Sequence, residues 1–204
     1  MGLYDRYVLP RLVNLACSQK PNMRQRQKVV PRASGRVLEI GFGTGLNLPY
    51  YEPDSVTGIW ALEPSETMWK LAGPAVAAAP VEVEFLQSGA EEIPLPRNSI
   101  DTVVLTYTLC TIPDTAAALA EIRRVLVADG RLIFCEHGEA PDANVQRWQK
   151  RLNPVWKSFS GGCHLDRPIP ALIEGAGFRI GGLETMYLPG WKPASFNFWG
   201  EARI

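Results

Sequence analysis

The sequence predicts an α/β domain built on a doubly wound, mostly parallel sheet, with helices on both faces and an antiparallel hairpin strand at the C-terminal edge. From residue 36 onward, apolar runs that are continuous rather than alternating recur with helical stretches between them, the pattern of strands buried on both faces. The last two strand-like runs follow one another without an intervening helix, which favours a hairpin over a crossover. At 204 residues, 46% of them hydrophobic, the chain suits one well-buried domain.

The elements follow in order. The opening stretch LYDRYVLPRLVNLACS sets Leu3, Tyr7, Leu12 and Leu15 at helical spacing with Pro10 interrupting it, so residues 1–34 are expected to be a helical segment outside the sheet. The basic run RQRQKVVPRASGR lacks interleaved aromatics and is expected to be a solvated helix face. RVLEIG, VTGIWALEP, VEVEFLQSG, IDTVVLTYTL and GRLIFCEHG give five buried strands. Between the fourth and fifth, DTAAALAEIRRVLVADG carries a capping Asp114 or Thr115, an apolar stripe at Leu119, Ile122, Val125 and Leu126, and a terminating Gly130. An aromatic-rich irregular stretch comes next, then a helix near IPALIEGAG. FRIGGLETMYL and SFNFWGEARI complete seven strands.

Charge and cysteine usage exclude several classes of function. Twenty-one basic residues balance twenty-one acidic ones, so no global field draws the chain to nucleic acid or an anionic bilayer, and a small molecule is the expected partner. Cys17, Cys110, Cys135 and Cys163 show no CxxC spacing, and with only two histidines no metal site is expected. The sequence carries no secretory signal pattern and no apolar run of membrane-spanning length, and Arg6 occupies the position where a myristoylation signal needs Ser or Thr. These features predict a reduced, cytoplasmic setting.

The stretch VLEIGFGTGLNLPYY places Gly41, Gly43 and Gly45 behind the first strand, where bare backbone permits a tight turn, a close ligand and the opening of a helix. A dinucleotide fingerprint needs its third glycine where Leu46 stands, so the pattern is G-x-G-x-G. Glu63 ends the second strand about twenty residues on, placed to accept hydrogen bonds from ribose hydroxyls. The two together suit a nucleoside without a diphosphate.

VLEIGFGTG, LEPSETM, SGAEEIPLPRNSIDTVVLTYTLCTIPD and RVLVADGRLIFCEHG resemble the successive motifs of class I S-adenosylmethionine-dependent methyltransferases, across residues 36–139. NPVWKSFSGGCHLDR is similar to the DPxW…DGCxLxR region of the methyltransferase-like thiol S-methyltransferases and their bacterial relatives. The resemblance implies a Rossmann-like methyltransferase domain over 35–204 and S-adenosyl-L-methionine as cofactor with S-adenosyl-L-homocysteine as product, while the aromatic residues outside the sheet suggest a lid over 1–34 and an acceptor-side cap over 140–166. It implies that Gly41, Phe42, Gly43 and Gly45 cradle the methionine and ribose portion and that Glu39 lies near the ammonium. Glu63 would bind the ribose, and Pro64, Ser65 and Met68 would wall the adenine. Gly89, Ala90 and Glu91 would meet the adenine edge, with Thr106 and Leu109 on the methionine side. A small apolar acceptor with a thiol nucleophile fits best; an amine or ring carbon of a lipid or quinone-like compound is the alternative, and a non-catalytic cofactor-binding protein is the reading from another class.

A thiol, with a pKa of about 8.5, supplies thiolate with little help, whereas a hydroxyl needs a positioned base. His137, at the end of the fifth strand beside Glu136, and His164, within reach of Asp166 in GGCHLD, are the candidate catalytic residues. Cys163 reads first as a small buried residue. Tyr4, Tyr7, Trp148 and Trp156, with Phe159, are candidate walls of an aromatic acceptor lid.

Overall fold

A computed structural model describes Tyr4 and residues 8–204. Among those residues, seven strands form one sheet: β1 (Gly35–Ile40), β2 (Val56–Leu62), β3 (Val83–Leu86), β4 (Ile100–Thr106), β5 (Leu126–His137), β6 (Arg179–Tyr187) and β7 (Phe196–Arg203). Their order across the sheet is β3-β2-β1-β4-β5-β7-β6, with the first five parallel and β7 antiparallel to both β5 and β6. The chain runs outward from β1 to β3 and then restarts at β4 on β1's other side, so the order reverses between β1 and β4. In open α/β sheets that reversal leaves a crevice at the carboxyl ends of the strands.

Among the described residues, six α-helices accompany the sheet: α1 (Leu9–Cys17), α2 (Lys20–Val29), α3 (Glu66–Ala77), α4 (Thr115–Val125), α5 (Ala143–Phe159) and α6 (Ile169–Gly175). Strand parity divides the core between two faces. Leu38, Ile40, Val103, Leu105 and Phe134 pack with Leu119 and Ile122 of α4 and Ile169 and Ile173 of α6. Val37, Ile59, Ala61, Val104, Ile133 and Cys135 pack on the opposite face with Val29 of α2 and Ala72 of α3. Among the described residues, no helix is long and apolar enough to cross a membrane, and the four cysteines are free thiols.

Three local expectations are corrected. No α-helix follows the glycine loop: residues 41–55 hold only a 3-10 turn, Leu48–Tyr50, because Tyr51 turns extended and Pro53 disfavours helical backbone at Glu52 before it. The α4 helix, capped by Asp114 accepting from the Ala117 N–H at 3.0 Å, stops at Val125 instead of running to Gly130. Leu126 turns extended there and pairs with Ile100. The aromatic-rich stretch after β5, expected to be irregular, holds the 17-residue α5, whose Val145, Gln149 and Asn153 recur every four residues on its buried face.

Candidate active site

The glycine loop is held by the second strand. Gly41 and Phe42 donate to the Leu62 carbonyl at 2.9 and 3.1 Å, and Gly41 and Gly43 take φ of +68° and +60°. A Cβ on Gly41 would lie 2.3 Å from the Thr108 hydroxyl, which excludes a side chain there, while at Gly43 the Met68 methyl stands at ordinary contact distance, 3.4 Å, and the left-handed φ is what favours glycine. Glu63 closes the loop with both carboxylate oxygens: one accepts from the Gly43 N–H and the other from the Ser65 N–H, each at 2.9 Å. Burial raises its pKa, and those two donors oppose the rise. Each oxygen keeps a further lone pair for another donor. The Ser65 hydroxyl caps α3 by accepting from the Met68 N–H, which fixes Met68 beside Gly43. Phe42 turns the other way: its ring is buried against Trp69 in the core, so only its backbone borders the crevice. Pro64 is exposed, Gly89 half-buried and Ala90 buried, and the Glu91 carboxylate accepts from the Asp114 N–H at 3.2 Å.

On the α2 face, parity brings Glu39 and Thr106 to the same side of neighbouring strands, and both are buried. Glu39 accepts from the Asn47 side-chain amide at 3.0 Å and the Tyr51 hydroxyl at 2.7 Å; burial pushes its pKa up to about 7 against those bonds and the nearby Arg26 charge. Arg26, from the run expected to be solvated, is buried instead. Its guanidinium donates to Asn47 Oδ1 at 2.9 Å and Thr106 Oγ1 at 2.6 Å and lies 5.1 Å from the Tyr107 ring centroid. The helical period explains the correction, since Gln25, Arg26 and Val29 form the inward face of α2 while their neighbours stay wet. Its Nε is buried with no hydrogen-bond partner among the described residues, so the cation offers a donor to a ligand.

The acceptor side lies at the ends of β4 and β5. Tyr107 takes φ of +56°, a strained turn for a non-glycine residue, and behind it the N–H groups of Thr108 and Leu109 donate to Glu136 Oε1 at 2.8 and 3.1 Å. Leu109 is buried beneath this turn. His137 is half-buried, its Nε2 3.1 Å from Cys163 Sγ and its Nδ1 buried without a partner among the described residues. Burial pulls its pKa down, but Cys163 and Glu136 outweigh that and the net shift is upward. His164 does not pair with Asp166, whose carboxylate instead accepts from the Asn153 side chain at 2.7 Å, because Asn153 projects from α5 into the loop that also holds the Leu165 N–H. Burial and the Arg167 and Lys157 charges lower the His164 pKa. Scattered along the sequence, Cys110, His137 and Cys163 bring their ligand atoms within 4.8 Å of one another.

The segment preceding α2 contacts both sides of the crevice. Asn14 Oδ1 accepts from the Thr44 hydroxyl at 2.5 Å, Leu9 packs on Gly161, and the Tyr4 hydroxyl donates to the Phe159 carbonyl at 2.9 Å. Tyr7 lies outside the described residues. Trp148 is 53% exposed on α5 and lines a groove of about 430 Å³ with Trp191, and neither His137 nor Cys163 is among the lining residues. The Trp156 ring lies 5.6 Å from the Trp191 ring and its indole N–H is buried without a partner among the described residues. Phe159 is 65% exposed.

Residues 38–134 match the family model described as a methyltransferase domain. The chain is 31% identical over 192 residues to thiol S-methyltransferase TMT1B of Homo sapiens, covering 91% of this chain and 78% of that one. It is 34% identical over 123 residues to phosphatidylethanolamine N-methyltransferase of Cereibacter sphaeroides, covering 59% of each. Its fold is similar to that of a solved Thermotoga maritima protein described as a possible histamine N-methyltransferase, with a TM-score of 0.65, 22% identity, and coverage of 98% of this chain and 97% of that one.

Proposed function

We propose that this chain, which belongs to the class I S-adenosylmethionine-dependent methyltransferases, methylates the sulfur of a small apolar thiol. Its cofactor is S-adenosylmethionine, which supplies a methyl carbon already activated by positive sulfur. The residues at the sheet's switch point fit that group. The free lone pairs of Glu63 suit two ribose hydroxyls, the bare Gly41 and Gly43 backbone admits close contact, and Met68 offers an apolar wall. Glu39 suits the ammonium and the orphaned Arg26 Nε suits the carboxylate of the methionine portion. What remains for the protein is to align the acceptor and exclude water.

The thiol reading is carried by one observation. Similarity to the thiol S-methyltransferase extends over nearly the whole chain, including α5 and the cap region that borders the acceptor side, while similarity to the lipid N-methyltransferase covers 59% of it. The chemistry agrees, since a thiol is nucleophilic near neutral pH without a strong base. In this reading α1 and the 140–166 segment are the lid and cap, and His137 and His164 border the acceptor. The test supplies deuterium-labelled S-adenosylmethionine with a small alkyl thiol, a phosphatidylethanolamine vesicle and a quinol, and follows products by mass spectrometry. S-methyl product alone is expected. Amine or ring methylation with no thiol turnover refutes the thiol reading, and cofactor binding with no turnover of any acceptor favours a non-catalytic protein.

A further inference from the structure

Cys110, His137 and Cys163 come from three separate parts of the chain, the turn after β4, the end of β5 and the loop after α5, yet meet at the acceptor end of the sheet. Two thiols and an imidazole are the donor set that suits a borderline-soft ion, and at a tetrahedral zinc with Zn–S about 2.3 Å and Zn–N about 2.0 Å such atoms stand roughly 3.5–3.8 Å apart. The three ligand atoms here lie within 4.8 Å, and His137 Nε2 is 3.1 Å from Cys163 Sγ, so side-chain movements of about 1 Å or less satisfy that geometry.

The backbone builds this arrangement in advance. The His164 N–H donates to the Cys110 carbonyl at 2.9 Å, tying the loop that bears Cys163 to the turn that bears Cys110. Gly161 and Gly162, at φ of +65° and +87°, supply the left-handed turn that brings Cys163 back over the strand ends. Arg167, buried and donating to the Leu109 carbonyl, puts a positive charge beside a site that gains two thiolates on metal binding. No fourth carboxylate, histidine or cysteine joins the group among the described residues, which is the arrangement of an open zinc site and not a closed structural one.

We propose that Cys110, His137 and Cys163 form a three-ligand site for a zinc-class divalent ion whose open fourth position takes the acceptor's thiolate. The fourth ligand rests on the thiol reading above; the metal site does not. On binding, the acceptor's S–H bond breaks and its proton passes to solvent, so the bound sulfur carries the electron pair. That pair forms the new S–C bond as the bond between the methyl carbon and the cofactor's sulfur breaks, giving a neutral thioether and S-adenosylhomocysteine. A neutral thioether holds the ion more weakly than a thiolate and departs.

Titration of the reduced, full chain with Co²⁺ tests the site directly. One equivalent per chain with a thiolate-to-cobalt charge-transfer band, displaced by Zn²⁺, is expected. Cys110→Ser, Cys163→Ser and His137→Gln should each weaken binding about a hundredfold or more, while Cys17→Ser leaves the stoichiometry at one. Adding a small alkyl thiol should change the cobalt ligand-field spectrum, and its S-methyl ether should not. Substoichiometric binding by the wild-type chain, or binding indifferent to both cysteine variants, overturns the site. Stoichiometric cobalt that ignores thiol overturns the open position. Full thiol methylation by chelator-treated, metal-free chain overturns the ion's role while leaving the thiol reading standing, and metal binding without thiol turnover does the reverse.

Discussion

Glu39→Gln should stabilise the folded chain and weaken its hold on cofactor. Glu39 lies in the buried face between β1 and α2, and burial raises its pKa to about 7 from the ordinary 4.5, against the opposing pull of the Tyr51 hydroxyl, the Arg26 charge and the Asn47 amide. Between those two values the folded state holds a proton that the unfolded state has released, so the contribution of Glu39 to stability is complete below the unfolded pKa and is lost as pH rises through the folded one. At about 1.4 kcal/mol for each tenfold in proton affinity, the rise from 4.5 to about 7 gives roughly 3 kcal/mol lost by pH 8. Glutamine reproduces the protonated form and keeps an acceptor for Asn47 and a polar partner for Tyr51. In urea unfolding of the cofactor-free chain, wild type and variant should agree near pH 4, with the variant ahead by about 3 kcal/mol at pH 8. Calorimetry at pH 8 should show the reverse for S-adenosylhomocysteine, a loss of about 1.5–3 kcal/mol from a missing charge-assisted bond to its ammonium. Stability curves that run parallel at every pH refute the buried-carboxylate argument. Unchanged affinity refutes the placement of Glu39 at the ammonium.

Glu63→Ala removes the acceptor of the Gly43 and Ser65 N–H groups as well as the proposed ribose contacts, so cofactor affinity by calorimetry should fall by about 2–4 kcal/mol and the glycine loop should lose protection in hydrogen exchange. Arg26→Met keeps the stem but removes the guanidinium that joins Asn47 and Thr106, and S-adenosylhomocysteine binding should weaken by about 1.5–3 kcal/mol, whereas an analogue lacking the carboxylate should lose less. If α1 acts as a lid, exchange across residues 9–17 should slow when S-adenosylhomocysteine is added, and deleting it should cut thiol methylation tenfold or more while costing cofactor affinity less.

The fold was legible because its signals are local. Each parallel strand announces itself as a short continuous apolar run, and the absence of a helix between the last two runs placed the antiparallel pair of β6 and β7. Local reasoning fails where a competing term is also local but weaker in appearance. A glycine loop behind a strand suggests a helix, yet Tyr51 turns extended ahead of Pro53 and leaves one 3-10 turn. The apolar stripe of α4 continues through Leu126, but that residue gains a strand partner in Ile100 and the backbone follows the ladder.

The functional features that the sequence concealed share a different cause: each depends on pairs of residues far apart in the chain. Residue type alone does not distinguish Arg26 from Arg24 or Lys28; its partners are Thr106 and Asn47, which β4 and the loop after β1 place under one face of α2. Helical periodicity was the available signal, since Gln25, Arg26 and Val29 share a face and the valine marks it as inward. The cysteines hide more completely. A CxxC search rewards proximity along the chain, whereas the carboxyl ends of parallel strands bring together residues a crossover apart, and here β4, β5 and the returning loop deliver Cys110, His137 and Cys163 to one point. In a doubly wound sheet, the chemistry-bearing positions to compare are therefore the last residues of each strand and the turn just beyond it, taken across strands. By that criterion the Tyr107–Cys110 turn and the Glu136–His137 pair stand out as a unit, tied by the two N–H bonds to Glu136.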